Sequence, residues 1–200
     1  MGDRRIIEFL GFKLCLNENV YEPAEDSELL ASILDLTEKE KVVDVGSGTG
    51  ILSLVLSKRD IRVLAIDINP FASEETLCSA KINDVDIDVI NCDGLSCVRD
   101  GIVFDAIVFN PPYLPVQETK EWIGFSWSGG EGGLKALEKI LNDFKAKRGY
   151  FVYSSFTDEE KLNKLLESKS LKLVKRKEIV KGFEVLKAVE VVVEGCPCGA

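Results

Sequence analysis

Four consecutive residues, Asn110-Pro111-Pro112-Tyr113, bring together groups with an obvious chemical use. They follow an apolar run, Phe104 to Phe109, with the composition of a strand. Proline fixes φ and removes a backbone donor, and the residue before a proline is driven to extended geometry. Asn110 is therefore held rigidly at a strand end, beside carbonyls that no neighbouring N–H satisfies. Such a site accepts two hydrogen bonds from a planar NH2 group and points its nitrogen in one direction. That suits a poor nitrogen nucleophile. Tyr113 adds a ring able to stack on a flat group. Taken alone, the tetrapeptide also fits a plain proline turn.

A second set of residues lies upstream. Asp44-Val45-Gly46-Ser47-Gly48-Thr49-Gly50 joins a short β-branched run to a helical one. Gly46, Gly48 and Gly50 let the backbone turn sharply and let a ligand approach closely. The spacing is G-x-G-x-G, not the G-x-G-x-x-G that seats a pyrophosphate, and the lysine of a phosphate-binding loop is missing. The preceding acid, Asp44, suits a positively charged ligand tail. Asp67 closes the next strand, where a carboxylate can accept ribose hydroxyls. Asp93, in Asn91-Cys92-Asp93, follows the third strand and is placed to accept from an adenine amine. One such acid would ordinarily be a cap or turn residue. Three after successive strands, in register with a glycine loop, point to a nucleoside-like ligand on the carboxyl edge of an open sheet.

The elements that position these residues alternate. The pattern predicts helices over 26–36, 51–58, 70–81, 134–146 and 158–167, and strands over 41–45, 61–66, 87–90, 104–109 and 150–154. Two extended runs, 171–179 and 183–193, meet at Lys181-Gly182 and read as an antiparallel hairpin. Repeated βα units imply a parallel sheet with helices on both faces, and the terminal hairpin adds antiparallel strands at one edge. The first 20 residues alternate apolar and polar (Ile7, Phe9, Phe12, Leu14, Leu16) and read as a short hairpin against the domain. No repeat or linker divides the chain, so residues 1–200 are read as a single α/β domain.

Composition narrows the chemistry further. The 200 residues are 46% hydrophobic and 30% charged, as expected of a soluble globular protein. A net charge of -9 argues against a nonspecific nucleic-acid binder, although Lys172, Lys175, Arg176, Lys177 and Lys181 cluster near one end. There is no histidine, which removes histidine bases, Ser-His-Asp triads and histidine metal ligands. The six cysteines have neither the spacing of a small disulfide framework nor that of a zinc site. No metal is expected, and Cys196-Pro197-Cys198 reads as a frayed tail. No signal peptide or membrane span is visible. The expectation is a cytoplasmic chain with reduced thiols.

The glycine loop, the three acids and Asn-Pro-Pro-Tyr together resemble the class I S-adenosylmethionine-dependent methyltransferases. That resemblance implies a Rossmann-like, seven-stranded sheet. It places Asp44 near the methionine ammonium, Asp67 on the ribose and Asp93, with Cys92, at the adenine. Val20-Tyr21-Glu22-Pro23-Ala24-Glu25-Asp26-Ser27 is similar to the N-terminal signature of HemK-related protein methyltransferases, in the short archaeal and eukaryotic branch. It implies that Tyr21, Pro23, Glu25 and Ser27 close over the cofactor. Trp127-Ser128-Gly129-Gly130-Glu131-Gly132-Gly133 resembles the segment after the catalytic loop and reads equally as a mobile lid or a plain linker.

The family implies N5-methylation of the glutamine in the Gly-Gly-Gln motif of a peptide-chain release factor. It also implies a small zinc-containing activator subunit. Three other readings stand beside it. Enzymes that methylate adenine N6 or guanine N2 in nucleic acid share Asn-Pro-Pro-Tyr. A non-catalytic scaffold would keep the fold without needing the tetrapeptide. A nicotinamide-dependent dehydrogenase fails on glycine spacing.

Overall fold

The computed structural model describes residues 4–115, 122–126 and 128–195. Trp127 and the Cys196-Pro197-Cys198 motif lie outside the described residues. A two-stranded hairpin opens the chain, β1 (Arg5–Phe9) against β2 (Phe12–Leu16). It is followed by α1 (Glu25–Ala31), β3 (Lys41–Val45), α2 (Ile51–Ser57), β4 (Arg62–Asp67), α3 (Pro70–Ile82), β5 (Asp88–Asn91) and β6 (Phe104–Phe109). The second half holds a short helix α4 (Trp122–Phe125), a 3-10 turn (Glu131–Gly133), α5 (Lys135–Asn142), β7 (Ala146–Ser154), α6 (Glu159–Ser168) and the long hairpin β8 (Leu171–Lys181) and β9 (Glu184–Val193).

The main sheet has seven strands in the order β5-β4-β3-β6-β7-β9-β8. The first five are parallel, and β9 and β8 run antiparallel. This is the class I methyltransferase arrangement, a mixed α/β sheet ending in an antiparallel hairpin. Strand alternation sorts the apolar side chains into two cores. Val42, Ala106, Val108, Tyr150 and Val152 face α1 and α2 with Leu29, Leu30, Leu52 and Leu56. Val43, Ile107, Phe109 and Phe151 face α5 and α6 with Leu137, Ile140, Leu162 and Leu166. A strand whose successive residues are both buried needs helices on both faces.

Several boundaries differ from the sequence pattern. The α1 helix stops at Ala31, short of Leu36, although Ile33, Leu34 and Leu36 are still buried. Their helical spacing reflects burial rather than helix. The α5 helix ends at Asn142, and Ala146, expected to be its last residue, is the first of β7, paired with Phe104. Non-local pairing outweighs helix propensity here.

The cysteines also depart from expectation. Cys15 of β2 and Cys78 of α3 form a disulfide, with Cα atoms 5.9 Å apart, where all thiols were expected to be reduced. The two lie 63 residues apart in sequence, so only the docking of the hairpin on α3 brings them together. The Cys15 N–H also donates to Ser79 Oγ at 2.9 Å. Glu75 lies beside the pair, but both sulfurs are committed to each other, and the Glu75 carboxylate accepts from Arg4 at 2.8 Å and Asn17 at 2.7 Å.

Candidate active site

Register brings the chemical residues to one edge. Val45 is level with Ile66 and with Phe109, and Asp67 with Asn91. The glycine loop after β3, Asp67 at the end of β4, Cys92 and Asp93 after β5, and Asn110 after β6 therefore emerge together at the carboxyl ends of the strands. The order reverses between β3 and β6, since β4 lies on one side of β3 and β6 on the other. Open α/β sheets bind ligands at such a switch point. A cavity of about 400 Å³ occupies it.

Most residues singled out in the sequence line this cavity: Tyr21, Pro23, Ser27, Gly46, Gly48, Asp67, Cys92, Asp93, Asn110 and Pro112. Gly48 has φ +58 and open space where a side chain would begin, so the loop's backbone itself forms the wall. Asp67 is 8% exposed. Its carboxylate accepts from Gly48 N at 2.9 Å and Asn69 N at 2.8 Å, which ties loop and strand together. Burial pushes its pKa above the usual carboxylate range. The Asp93 carboxylate is ion-paired with Lys139 of α5 at the cavity's outer rim.

Five residues expected at the site do not line the cavity. Asp44 lies beneath the loop, 1% exposed, with Oδ2 accepting from Ser53 Oγ of α2 at 2.6 Å. Its Oδ1 is buried without a partner among the described residues. Desolvation, aided by the nearby charge of Asp67, raises its pKa from 3.8 to about 6. Gly50 sits behind the loop as the cap of α2. Glu25 is exposed and bonds to Lys181 of β8 at 2.7 Å, because the first turn of α1 faces the terminal hairpin there. Pro111 is buried away from the opening. Tyr113 is half-buried and packs against the core.

The orientation of Asn110 is set by a relay that sequence reasoning missed. Asp26, 3% exposed, accepts from the Ser27 N–H at 2.6 Å and from Ser27 Oγ at 3.2 Å through Oδ1. Its Oδ2 accepts the hydroxyls of Tyr21 at 3.2 Å and Tyr113 at 3.3 Å. Ser27 thus spends its proton on Asp26, and its lone pair accepts from Asn110 Nδ2 at 3.2 Å. The amide nitrogen is occupied, which leaves Oδ1 as the free end. That oxygen is buried and has no partner among the described residues. Burial first, and then the charge of Asp26, hold both tyrosine hydroxyls well above their ordinary pKa, so they stay protonated donors.

The glycine-rich segment after the catalytic loop is neither a free lid nor a slack linker. Gly129 N donates to Leu114 O at 2.7 Å, and Leu114 bridges to Ser128. A Cβ on Gly133 would stand 2.3 Å from Tyr113 O, and one on Gly129 would stand 2.8 Å from Pro112 O. The glycines allow two backbones to touch, and so brace the Pro112-Tyr113 carbonyls. Beyond these, Phe109, Trp122, Ser126, Ser128 and Asn69 also line the cavity. Asn69 had a readable signal, since Asn69-Pro70 is a helix start and its side chain caps Phe71 N at 3.0 Å. Ser128 falls in the glycine-rich segment singled out above, whereas Trp122 and Ser126 carried no signal.

A Rossmann-like sheet, a glycine loop without phosphate-binding features and an amide acceptor at the switch point define a class I methyltransferase, whose methyl donor is S-adenosylmethionine. The methyltransferase small domain model matches residues 19–125. A putative protein N5-glutamine methyltransferase of Methanocaldococcus jannaschii is 38% identical over 170 residues, covering 80% of this chain and 85% of the relative. The human methyltransferase HEMK2 is 32% identical over 171 residues, covering 76% and 80%. The chain belongs to the methyltransferase small domain family, among HemK-related enzymes. In fold it resembles the E. cuniculi Mtq2–Trm112 complex, described as responsible for methylation of the eRF1 translation termination factor. The TM-score is 0.71 at 22% identity, over 87% of this chain and 98% of that one.

Proposed function

We propose that this protein is an S-adenosylmethionine-dependent methyltransferase that N5-methylates the glutamine of the Gly-Gly-Gln motif in a peptide-chain release factor. The observation that carries it is the unpartnered Asn110 Oδ1, fixed as an acceptor by Ser27 and Asp26. The names of the relatives from M. jannaschii and other organisms point to the same substrate chemistry.

The residues fit the cofactor. Gly46, Gly48 and Asp67 would hold its ribose side, and Cys92 and Asp93 its base. Tyr21, Pro23 and Ser27 would cover it, while the carboxylate of Asp44 acts on the methionine cation from beneath the loop. Bound there, S-adenosylmethionine supplies an electrophilic methyl on a positively charged sulfur. A side-chain amide nitrogen is a weak nucleophile, because its lone pair is delocalised. Asn110 Oδ1 accepts one of its N–H bonds, and a carbonyl of the proline pair the other, which fixes the direction of attack. Positioning of this kind can replace a large part of a barrier. The nitrogen sheds its proton only after it has become cationic, so a chain without histidine suffices.

Around the cavity, Lys139 is paired with Asp93, Arg5 with Glu22 and Lys181 with Glu25, and the chain as a whole carries a net charge of -9. That overall balance supports a peptide rather than a phosphate backbone. A small zinc-containing activator is the expected partner. The unpaired edge strand β5, with Ile90 and the adjacent Ile68 exposed, offers it an apolar surface. Among the described residues no helix is long and apolar enough to cross a membrane, and a translation factor as substrate supports a cytoplasmic enzyme. One catalytic domain carries the activity, with the hairpin of residues 4–20 packed on it.

Incubation with labelled S-adenosylmethionine and a release factor tests this. Label should appear on the intact factor, and should vanish when the target glutamine is changed to alanine. Asn110→Ala should lower kcat by roughly 100-fold or more while cofactor binding is retained. Label that survives the glutamine change would reject the assignment.

A further inference from the structure

The tip of the β8–β9 hairpin overhangs the site. Phe109 is level with Phe151, and Ser154, the last residue of β7, with Leu186, so β9 carries Glu184 two residues past the end of β7, where Phe156 lies in the turn that follows Ser154. That is roughly 13 Å beyond Asn110, at about 3.3 Å per residue. The tip is fastened to the rim on two sides. Ser155 N donates to Val185 O at 2.8 Å, and Lys181 bonds to Glu25 at 2.7 Å. Glu184 is close enough for its charge to disfavour ionisation of both Tyr21 and Tyr113, and its Oε1 is buried without a partner among the described residues.

Besides Lys181, this fastened tip presents apolar side chains to solvent. Phe183 is 102% exposed, Val180 76% and Phe156 50%. Turn residues of a hairpin are ordinarily polar. A grouped apolar display of this kind gains nothing in an isolated chain and marks a contact surface.

We propose that Val180, Phe183 and Phe156 form a docking ridge for the substrate polypeptide, gripping an apolar segment of the protein that carries the target amide. This rests on the function proposed above. The occupant follows from continuity with the mouth: a chain inserted at Asn110, two strands from β9, reaches the tip within about five extended residues. Shape readout by the ridge, with chemistry confined to Asn110, separates recognition from turnover.

The test compares wild type with Val180→Ser, Phe183→Ser and the double variant. Val174→Ser, a half-exposed valine lower on β8, serves as control. The double variant should raise the KM for the intact release factor about tenfold, as loss of an aromatic anchor does. kcat and the Kd for S-adenosylmethionine should stay unchanged, and the control should behave as wild type. If wild type methylates the factor and the double variant keeps its KM, the ridge is overturned while the function stands. An equal rise in Val174→Ser overturns it as well, since the effect would then be general to the hairpin. A wild type inert towards the release factor overturns both.

Discussion

The cofactor half and the substrate half of the cavity are built in different ways. The wall proposed for the cofactor is built around one contiguous stretch, Asp44 to Gly50, tied to Asp67 one strand away by a hydrogen bond from Gly48 N. The substrate half is assembled from Asp26 and Ser27, Asn110 to Tyr113, and Gly129 to Gly133, which are distant in sequence and meet by direct contact. Local chemistry therefore fixes the first half, and packing fixes the second. The first should tolerate change gradually, whereas the second should fail abruptly when one contact is displaced.

Gly133→Ala is the sharpest way to break that contrast. Its Cβ would meet Tyr113 O at 2.3 Å, so the Pro112-Tyr113 backbone must move. A displacement near 1 Å costs on the order of 100-fold in rate. We expect kcat to fall by that much, with the Kd for S-adenosylmethionine, measured by calorimetry, changed less than about threefold. A parallel loss of cofactor binding would show that the halves are not separable.

Ser27→Ala should come next. It removes the acceptor that holds Asn110 Nδ2 and frees the amide to flip. One hydrogen bond of this kind is worth about 1 kcal/mol, so kcat should drop roughly fivefold. Replacement by threonine should restore most of it.

On the cofactor side the effect should be graded with pH. Burial raises the Asp44 pKa from 3.8 to about 6. A cationic ligand prefers the ionised carboxylate, so affinity is fully present above that value and is lost as pH falls through it. The Kd for S-adenosylmethionine should rise several-fold between about pH 7 and about pH 5. Asp44→Asn should bind more weakly at neutral pH and show a flatter profile. A profile unaltered by this substitution would remove Asp44 from the binding energetics.

Glu25→Ala should do least. Its ion pair with Lys181 is half-exposed on both sides, which limits the loss to about 0.5 kcal/mol. Because Glu25 does not line the cavity, the cofactor Kd should stay within about twofold. A larger change would return Glu25 to the cofactor site.

Much of this was legible in the residues. β-branched runs, glycine spacing and turn pairs located the strands, the loop and the terminal hairpin, because each depends on near neighbours. The misreadings share a cause. Leu34 and Leu36 look helical because they are buried, and Ala146 looks helical because its partner Phe104 is 42 positions upstream.

The sequence by itself determined the reaction type: an amide before two prolines, a glycine loop without the spacing or lysine that seats a phosphate, and no histidine to act as base. Only the tertiary structure decided which end of the Asn110 amide is free, which acids reach the cavity and what the glycines after residue 128 hold in place. Those are contacts between segments brought together by strand register and by burial on two faces of the sheet, and neither is written in the spacing of neighbouring residues.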